Sequence, residues 1–312
     1  MAVEVIMTDK SKGWLNGLAA VLFFSGTMPA TRLAVAGLDP FFLTAARASI
    51  AGLLAGALLL ATRAPRPSRS DLPSLAVVAG GVVIGFPLLA ALALRHIGSA
   101  RSLVFLGLLS LTTALFGVLR GGERPRPPFW LFSLLGAAVI GGFALSRGAG
   151  ADPTGDLLVL LAVIICGLGY AEGGVLSRRL GGLRVICWAL VLSLPLALPA
   201  AALLRPAATG PVPVSAWLGL AYVSLFSMLA GFVFWYRGLA LGGIAAVGQV
   251  QLLQPLFGLA LSAQILHEPV GWPMLAATAG VVACVAGARR FSQPAQVLRG
   301  VAYRSSLGKE ME

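Results

Sequence analysis

Three glutamines and a proline lie close together within one long apolar stretch of the sequence. They are Gln249, Gln251, Gln254 and Pro255. In a helix Gln251 and Gln254 share one face, whereas Gln249 is turned about 200° from Gln251. Because an unpaired buried amide is costly, this face must border either a cavity or a neighbouring helix. In a cavity the amides can bind the carboxylate or ammonium of a small solute, and between helices they form interhelical hydrogen bonds.

Aromatic residues at helical spacing form a second group that can bind a ligand. Phe232, Trp235 and Tyr236 occupy positions i, i+3 and i+4, so in a helix they form one stripe. Tyr170 lies in another apolar run, beside glycines. Rings of this kind stack on an aromatic ligand. The alternative is lipid-facing or interfacial packing, above all for Trp235 and Tyr236.

Arg47 and Glu172 are the ionisable residues that lie clearly within apolar runs. Charges at such positions mark ligand or ion pathways. Arg47 is about 10 Å into its run by helical rise and can pair with a ligand carboxylate; the alternative is a side chain that extends to the surface. Glu172 can carry a coupling proton; the alternative is an interfacial ion pair with Arg178 or Arg179.

The sequence offers little for catalysis or metal binding. The histidines are His96 and His267, and the three cysteines lie within apolar runs without CxxC spacing. An enzyme would need paired carboxylates, a metal cluster or a Ser/His nucleophile, and no phosphate-binding loop is present. We therefore expect no enzyme activity, no metal and no cofactor. The few fixed charges favour a neutral or zwitterionic ligand over a phosphorylated one.

The composition of the chain predicts that membrane-spanning helices position these residues. The chain has 312 residues, of which 58% are hydrophobic and 11% are charged. A soluble domain has about 25% charged residues, so a bilayer is the better solvent for this chain. Ten apolar runs are each near the length of about 20 residues that a spanning helix needs. The runs are 14–35, 40–61, 72–94, 102–119, 129–145, 157–176, 185–204, 216–236, 244–266 and 269–288.

Lysine and arginine between the runs predict the orientation. The net charge is +12, and with the amino terminus inside, 17 of the 23 basic residues fall in cytoplasmic segments. Positive charge accumulates on that side, so we expect both termini in the cytoplasm, an inner-membrane location and no nucleic-acid partner. A cleaved signal peptide ending at Ala36 is the alternative for the first run, but Arg32 precedes that cleavage point and removal would break the repeat described next.

The two halves of the chain share weak motifs at a constant offset. Glu123, followed by Arg-Pro, comes after the fourth run, and Glu268, followed by Pro, comes after the ninth, 145 residues later. Ser110 corresponds to Pro255 at the same offset. Because five spans are an odd number, two five-span repeats must have opposite orientations, as in many secondary transporters. We expect repeats at 13–147 and 154–290, with cytoplasmic tails at 1–12 and 291–312.

This order of ten spans with a Glu-Pro element in each half resembles the EamA branch of the drug/metabolite transporter superfamily. The resemblance covers almost the whole chain, although family members have a proline in both the fourth and the ninth span and this chain has Ser110 in the fourth. Within the family the chain looks most like the YddG-type amino-acid exporters. The resemblance implies an all-α integral membrane protein that exports neutral and aromatic amino acids.

Those implications lead to a set of expected roles. We expect a secondary transporter that works by alternating access; the alternatives are export of another metabolite or drug, a channel, and a membrane-embedded enzyme. The oligomeric state is left open, with a monomer as one possibility. Since glycine and proline weaken helices, they are expected at moving joints. The expected substrate-binding residues are Gln251, Gln254, Tyr170, Phe232, Trp235 and Arg47, the coupling residue is Glu172, and the hinges are Pro29, Gly85, Pro87 and Pro255.

Overall fold

Helices make up the regular structure of the described part of the chain. The computed structural model describes residues 9–146, 152–205, 212–269 and 271–291, and within these ranges every regular element is helical. In chain order the helical segments are α1 (Asp9–Val35), α2 (Pro40–Ala61), α3 (Arg69–His96), α4 (Ser99–Gly121), α5 (Pro127–Ser146), α6 (Pro153–Leu180), α7 (Gly182–Leu203), α8 (Val214–Gly242), α9 (Ile244–Leu266) and α10 (Trp272–Phe291).

Eight of these helices are long and apolar enough to cross a membrane, and the chain is a multi-pass membrane protein. In α5 and α10 the apolar stretch is shorter, at Pro127–Val139 and Leu275–Ala288. The span count of ten therefore stays a prediction. The expected tails lie outside the described residues apart from 9–12, which begin α1, and Phe291, which ends α10.

Local sequence signals determine where several helices begin and end. The Asp39 carboxylate accepts hydrogen bonds from the backbone N–H groups of Phe41 and Phe42, and a proline occupies the first turn of α2. Two helices end at a residue with left-handed backbone. Gly122, with φ of 62°, ends α4, and His267, with φ of 53°, ends α9. These two residues are also 145 positions apart.

The first helix packs closely against the eighth. A Cβ atom added at Gly238 would lie 2.9 Å from the backbone nitrogen of Gly17, and one added at Gly13 would lie 2.6 Å from that of Gly242. Small residues let two helix backbones approach in this way. The contact joins the two halves of the chain directly, and α2 with α7 and α4 with α6 add further contacts between them.

In the described part of the chain, five helices lose regular α geometry near their middle. α1 is interrupted at Gly26 and α4 at Gly107. α3 and α8 contain π-helical turns at Ala79–Gly85 and Val223–Ala230, and α9 contains a 3₁₀ turn at Gln249–Leu253. π-turns and 3₁₀ stretches of this kind are frequent at functional sites and hinges.

Candidate functional site

A cavity lies where the irregular segments meet in the interior of the helix bundle. Its interior volume is about 10 Å³, which is room for roughly one water molecule, so the surrounding helices must separate to admit a larger solute. Helices α1, α2, α3, α4, α6, α8 and α9 contribute to its wall. The lining residues are Phe24, Thr27, Arg47, Val82, Phe86, Leu106, Leu109, Tyr170, Ser227, Phe232 and Gln254.

Much of this lining comes from the irregular segments themselves. Thr27 follows the interruption at Gly26, Val82 and Ser227 lie within the two π-helical turns, and Gln254 follows the 3₁₀ turn. Broken helices at membrane depth expose polar backbone and side-chain groups to a cavity, whereas regular helices keep them internally bonded. The arrangement therefore fits a polar site within an apolar bundle.

Arg47 is the one formally charged residue in this lining. Its side chain does not extend to the surface, because the residue is only 3% exposed. Nη2 donates hydrogen bonds to the carbonyl of Val223, at 3.2 Å, and to Oγ of Ser227, at 3.4 Å. Both partners are neutral, and among the described residues Nε has no hydrogen-bond acceptor. The guanidinium therefore retains capacity to bind an anionic group in the cavity.

Aromatic rings form one wall of the cavity. The ring centroid of Tyr170 lies 6.4 Å from that of Phe24 and 5.7 Å from that of Phe232. Trp235 is fully buried and packs 5.1 Å from Tyr170, behind the lining. Tyr236 is also 0% exposed, so lipid-facing packing is wrong for both Trp235 and Tyr236. The wall can stack against a planar ring.

The glutamines of α9 divide between the cavity and its surroundings. Gln254 lines the cavity, and its Nε2 donates to the carbonyl of Phe24 at 3.1 Å. Gln251 lies outside the lining, and its Nε2 donates to the hydroxyl of Tyr170 at 3.4 Å. Gln249 faces Ser133 of α5, in agreement with its predicted separate face. Gln251 thus touches the cavity wall from behind, while Gln254 can touch a ligand.

Glu172 is buried but paired. Its Oε2 accepts a hydrogen bond from Nε of Arg120 at 2.7 Å, and its Oε1 accepts one from Oγ of Ser74 at 2.5 Å. The structure corrects the partner expected from sequence, because Arg178 and Arg179 bind carboxylates at the ends of other helices. Glu172 does not belong to the cavity lining, and its role in coupling stays a prediction.

Glu123 caps the start of α9. Its two carboxylate oxygens accept hydrogen bonds from the backbone N–H groups of Ile244 and Ala245, each at 2.7 Å. Arg178 of α6 donates to the same carboxylate at 2.5 Å. A carboxylate satisfies the free N–H groups at a helix start and interacts favourably with the helix dipole. The end of α4 is thereby joined to the start of α9.

Glu268 makes the equivalent cap at the start of α4. The backbone N–H groups of Ser99 and Ala100 donate to its carboxylate at 3.2 and 2.9 Å, and Oγ of Ser99 donates at 3.0 Å. Among the described residues no cation lies within salt-bridge distance of Glu268, unlike Glu123. The end of α9 thus meets the start of α4, so the two helices are antiparallel.

A family model accounts for most of this chain. The model of the EamA-like transporter family matches residues 11–145 and again residues 153–289. The chain belongs to this family.

Relatives of this EamA-family transporter are similar along almost their whole length. The "Uncharacterized transporter YdeK" of Bacillus subtilis (strain 168) is 62% identical over 287 residues, which cover 92% of this chain and 100% of the relative. The "Uncharacterized protein PA1977" of Pseudomonas aeruginosa is 31% identical and covers 86% of this chain and 91% of its own. One solved structure, "Crystal structure of protein", has a TM-score of 0.71 at 23% identity, covering 91% of this chain and 98% of its own.

Family membership decides the broad class of activity. EamA-like proteins of the drug/metabolite transporter superfamily move small molecules across lipid bilayers, and a relative with 62% identity carries the name transporter. This chain is therefore a membrane transporter and not an enzyme, as the sequence predicts. The likeness to the solved structure supports the fold alone.

The expected hinges of this EamA-family transporter all lie at irregular helix segments. Pro29 is three residues beyond the interruption at Gly26. Gly85 ends the π-helical turn of α3 and Pro87 follows it, while Pro255 follows the 3₁₀ turn of α9. A proline ring displaces the carbonyl four residues before it, so Pro29, Pro87 and Pro255 each weaken their helix locally. That they move stays a prediction.

Several cavity residues are not apparent from residue type. The 145-residue offset is a signal that finds some of them, because it relates Val82 to Ser227 and Leu109 to Gln254. The same offset relates the π-helical turns of α3 and α8. Phe24, Thr27, Phe86 and Leu106 also line the cavity, but the residues 145 positions after them do not.

Proposed function

We infer that this EamA-family transporter is a secondary transporter that exports neutral amino acids, above all aromatic ones, by alternating access. The observation that carries the proposal is the buried cavity that combines Arg47 with an aromatic wall at Tyr170 and Phe232. A carboxylate can bind the guanidinium, and an aromatic side chain can stack on the rings. Gln254 supplies an amide for the remaining polar group of such a solute.

Two inverted five-helix repeats provide the means of opening to either side. Two observations support this part of the proposal. The α4 and α9 helices are antiparallel, and the start of each is capped by a carboxylate that follows the end of the other. Glu123 caps α9 and Glu268 caps α4, and the two glutamates are 145 residues apart. The π-helical turns of α3 and α8 are related by the same offset. A pseudo-two-fold relation of this kind lets one set of joints serve both states.

The orientation belongs to the same proposal. The Glu123 end of the bundle carries Arg120, Arg178 and Arg179, together with the arginines of the α2–α3 connection. Under the positive-inside rule this end faces the cytoplasm of a bacterial-type inner membrane, and both termini lie on that side. The opposite end, near Glu268, then faces outward and receives the exported solute.

Exchange in proteoliposomes tests the cargo. Purified protein is reconstituted with unlabelled phenylalanine or tryptophan inside, and entry of the labelled amino acid is measured. We expect saturable uptake that internal substrate accelerates. Flux equal to that of protein-free liposomes would exclude these amino acids and leave another metabolite or drug as the cargo. A pore would show neither saturation nor acceleration by internal substrate.

Single substitutions distinguish a ligand contact from the supporting wall. Gln254→Ala removes a lining amide, so we expect flux to fall roughly 10-fold, about 1.4 kcal/mol. Gln251→Ala acts through the hydroxyl of Tyr170 and should have a smaller effect. Gln249→Ala is the matched control, because its side chain faces α5. Wild-type flux in Gln254→Ala at normal protein yield would remove that residue from the site.

A further inference from the structure

The charges of the cavity lining are unbalanced. Among the eleven residues that line it, Arg47 is the one with a formal charge, and the list contains no aspartate or glutamate. The described ion pairs of the chain all lie outside this lining, and Arg47 takes part in none of them. The cavity therefore provides one cation and no fixed anion.

The hydrogen bonds of Arg47 leave part of the guanidinium without a partner. Nη2 bonds a carbonyl and a hydroxyl, while Nε is buried without an acceptor in the described residues. A guanidinium has five donors in a fixed fork that matches a carboxylate. A buried, uncompensated cation is costly. Binding an anion in this cavity would remove that cost.

The two charged groups of an amino acid would be received unequally. Its carboxylate would neutralise Arg47. Its ammonium would meet the neutral acceptors of Gln254, Ser227 and Thr27. These acceptors compensate the ammonium for the loss of its bound water less well than an aspartate or glutamate side chain would. A solute with a carboxylate and a ring but no ammonium would leave the occupied cavity electrically neutral.

We propose that Arg47 is the carboxylate anchor of this site and that the cavity accepts aromatic monocarboxylates, without an ammonium group, at least as well as aromatic amino acids. The proposal rests on the proposed function, since it takes this cavity to be the transport site. It narrows the substrate class by its chemistry: the carboxylate is required, the ring is stacked on the wall at Tyr170, and the ammonium is optional.

Three solutes that differ by one group test the proposal. They are phenylalanine, 3-phenylpropionate, which lacks the ammonium, and phenethylamine, which lacks the carboxylate. Exchange is measured in wild-type proteoliposomes at pH 8, roughly four units above a carboxyl pKa, so that little of the membrane-permeant acid is present. Leak into protein-free liposomes is subtracted. We expect 3-phenylpropionate to exchange at least as fast as phenylalanine and phenethylamine to be at least 10-fold slower.

Variants of Arg47 test the anchor itself. Arg47→Gln should reduce the flux of both carboxylates by roughly 10- to 100-fold, the loss expected for one charge-assisted hydrogen bond. Arg47→Lys retains the charge but loses the fork, so its flux should lie between those of Arg47→Gln and the wild type. Arg95→Gln is the matched control, because Arg95 is half exposed and pairs with Asp39 outside the cavity.

The outcomes separate this inference from the proposed function. Exchange of phenylalanine but not of 3-phenylpropionate would overturn the inference and leave amino-acid transport standing. Exchange of 3-phenylpropionate but not of phenylalanine would support the inference and refute the amino-acid cargo. Exchange of neither would refute both. Phenethylamine exchange equal to that of 3-phenylpropionate would overturn the anchor, and the wild-type series decides this even where an Arg47 variant does not fold.

Discussion

The two ends of the antiparallel α4–α9 pair are built from equivalent residues but are held in different ways. At the Glu123 end the capping carboxylate also binds Arg178, and Asp71 and Glu172 nearby are almost completely buried and paired with arginines. At the Glu268 end the cap is completed by serine hydroxyls.

The ion-paired carboxylates at the Glu268 end are also more exposed than those at the Glu123 end. The exposed fractions of the side chains are 47%, 38% and 22% for Asp39, Asp152 and Asp156. At the other end they are 1%, 6% and 14% for Asp71, Glu172 and Glu123. Exposed pairs contribute little to stability, whereas a buried carboxylate that loses its arginine is left as an uncompensated charge. Equivalent halves can thus give one end that opens more easily than the other, and we expect this to be the Glu268 end.

The largest effect is expected from cysteine labelling, which tests whether the Glu123 and Glu268 ends face opposite sides of the membrane. In a background of Cys166→Ala, Cys187→Ala and Cys284→Ala, a cysteine is introduced at exposed Arg66 or at exposed Thr154. A membrane-impermeant maleimide should label the Thr154 variant in intact cells and the Arg66 variant only after permeabilisation. Labelling of the Arg66 variant in intact cells would invert the comparison, and labelling of both would refute the topology.

Removal of each capping carboxylate measures the difference between the ends. Glu123→Ala leaves two helix N–H groups and Arg178 without their acceptor, whereas Glu268→Ala leaves N–H groups and a hydroxyl. Each buried donor that loses its partner costs roughly 1–3 kcal/mol, and more when it is charged. We expect Glu123→Ala to lower the thermal midpoint in detergent by more than Glu268→Ala. Equal shifts would show that the two caps are equivalent in strength.

The contribution of Arg178 should account for part of that difference. Since its side chain is 41% exposed, we expect a coupling energy with Glu123 of only about 0.2–1 kcal/mol. A double-mutant cycle of Glu123→Gln and Arg178→Ala measures it. Arg184→Ala is a control at the same end that removes an arginine without touching Glu123. Zero coupling would mean that the backbone caps alone hold this end.

The smallest effect is expected at the exposed pair of the Glu268 end. His96 and the backbone N–H of Thr154 hydrogen-bond the carboxylate of Asp152 and lower its pKa. A lowered folded-state pKa gives stability that is present above the unfolded pKa and is lost as pH falls through the folded one. His96→Gln should therefore slightly lower the thermal midpoint at neutral pH and make the midpoint fall less steeply as the pH is lowered. An unchanged profile would show that the pair contributes nothing.

Sequence reasoning anticipates the cavity better than it anticipates the contacts around it. Helical periodicity and the scarcity of intramembrane charge are local properties, and they select six residues for the site. The structure brings Gln254, Tyr170, Phe232 and Arg47 to one cavity, whereas Gln251 and Trp235 lie behind its wall. The partner of Glu172 cannot be selected from local properties, because the position of Glu172 relative to α3 and α4 depends on how the helices pack. Nearness in sequence favours Arg178 and Arg179, whereas packing supplies Arg120.

The capping role of Glu123 and Glu268 also depends on the tertiary structure. Their spacing marks them as equivalent, but the N–H groups that donate hydrogen bonds to them lie 121 and 169 residues away in the chain. The need for glycine at position 26 has a comparable origin, because a Cβ atom there would lie 2.4 Å from the hydroxyl of Tyr222. Contacts between distant segments leave no local pattern in the sequence.

The glycine contact between α1 and α8 has a consequence for biosynthesis. Gly17 and Gly238 are more than two hundred residues apart, so α1 enters the bilayer long before its partner has been translated. At 5–20 residues per second the delay is roughly 10–45 s. During that time the glycine face of α1 must remain covered by lipid or by an insertion factor, and quality-control proteases have their best opportunity to remove an unpaired chain.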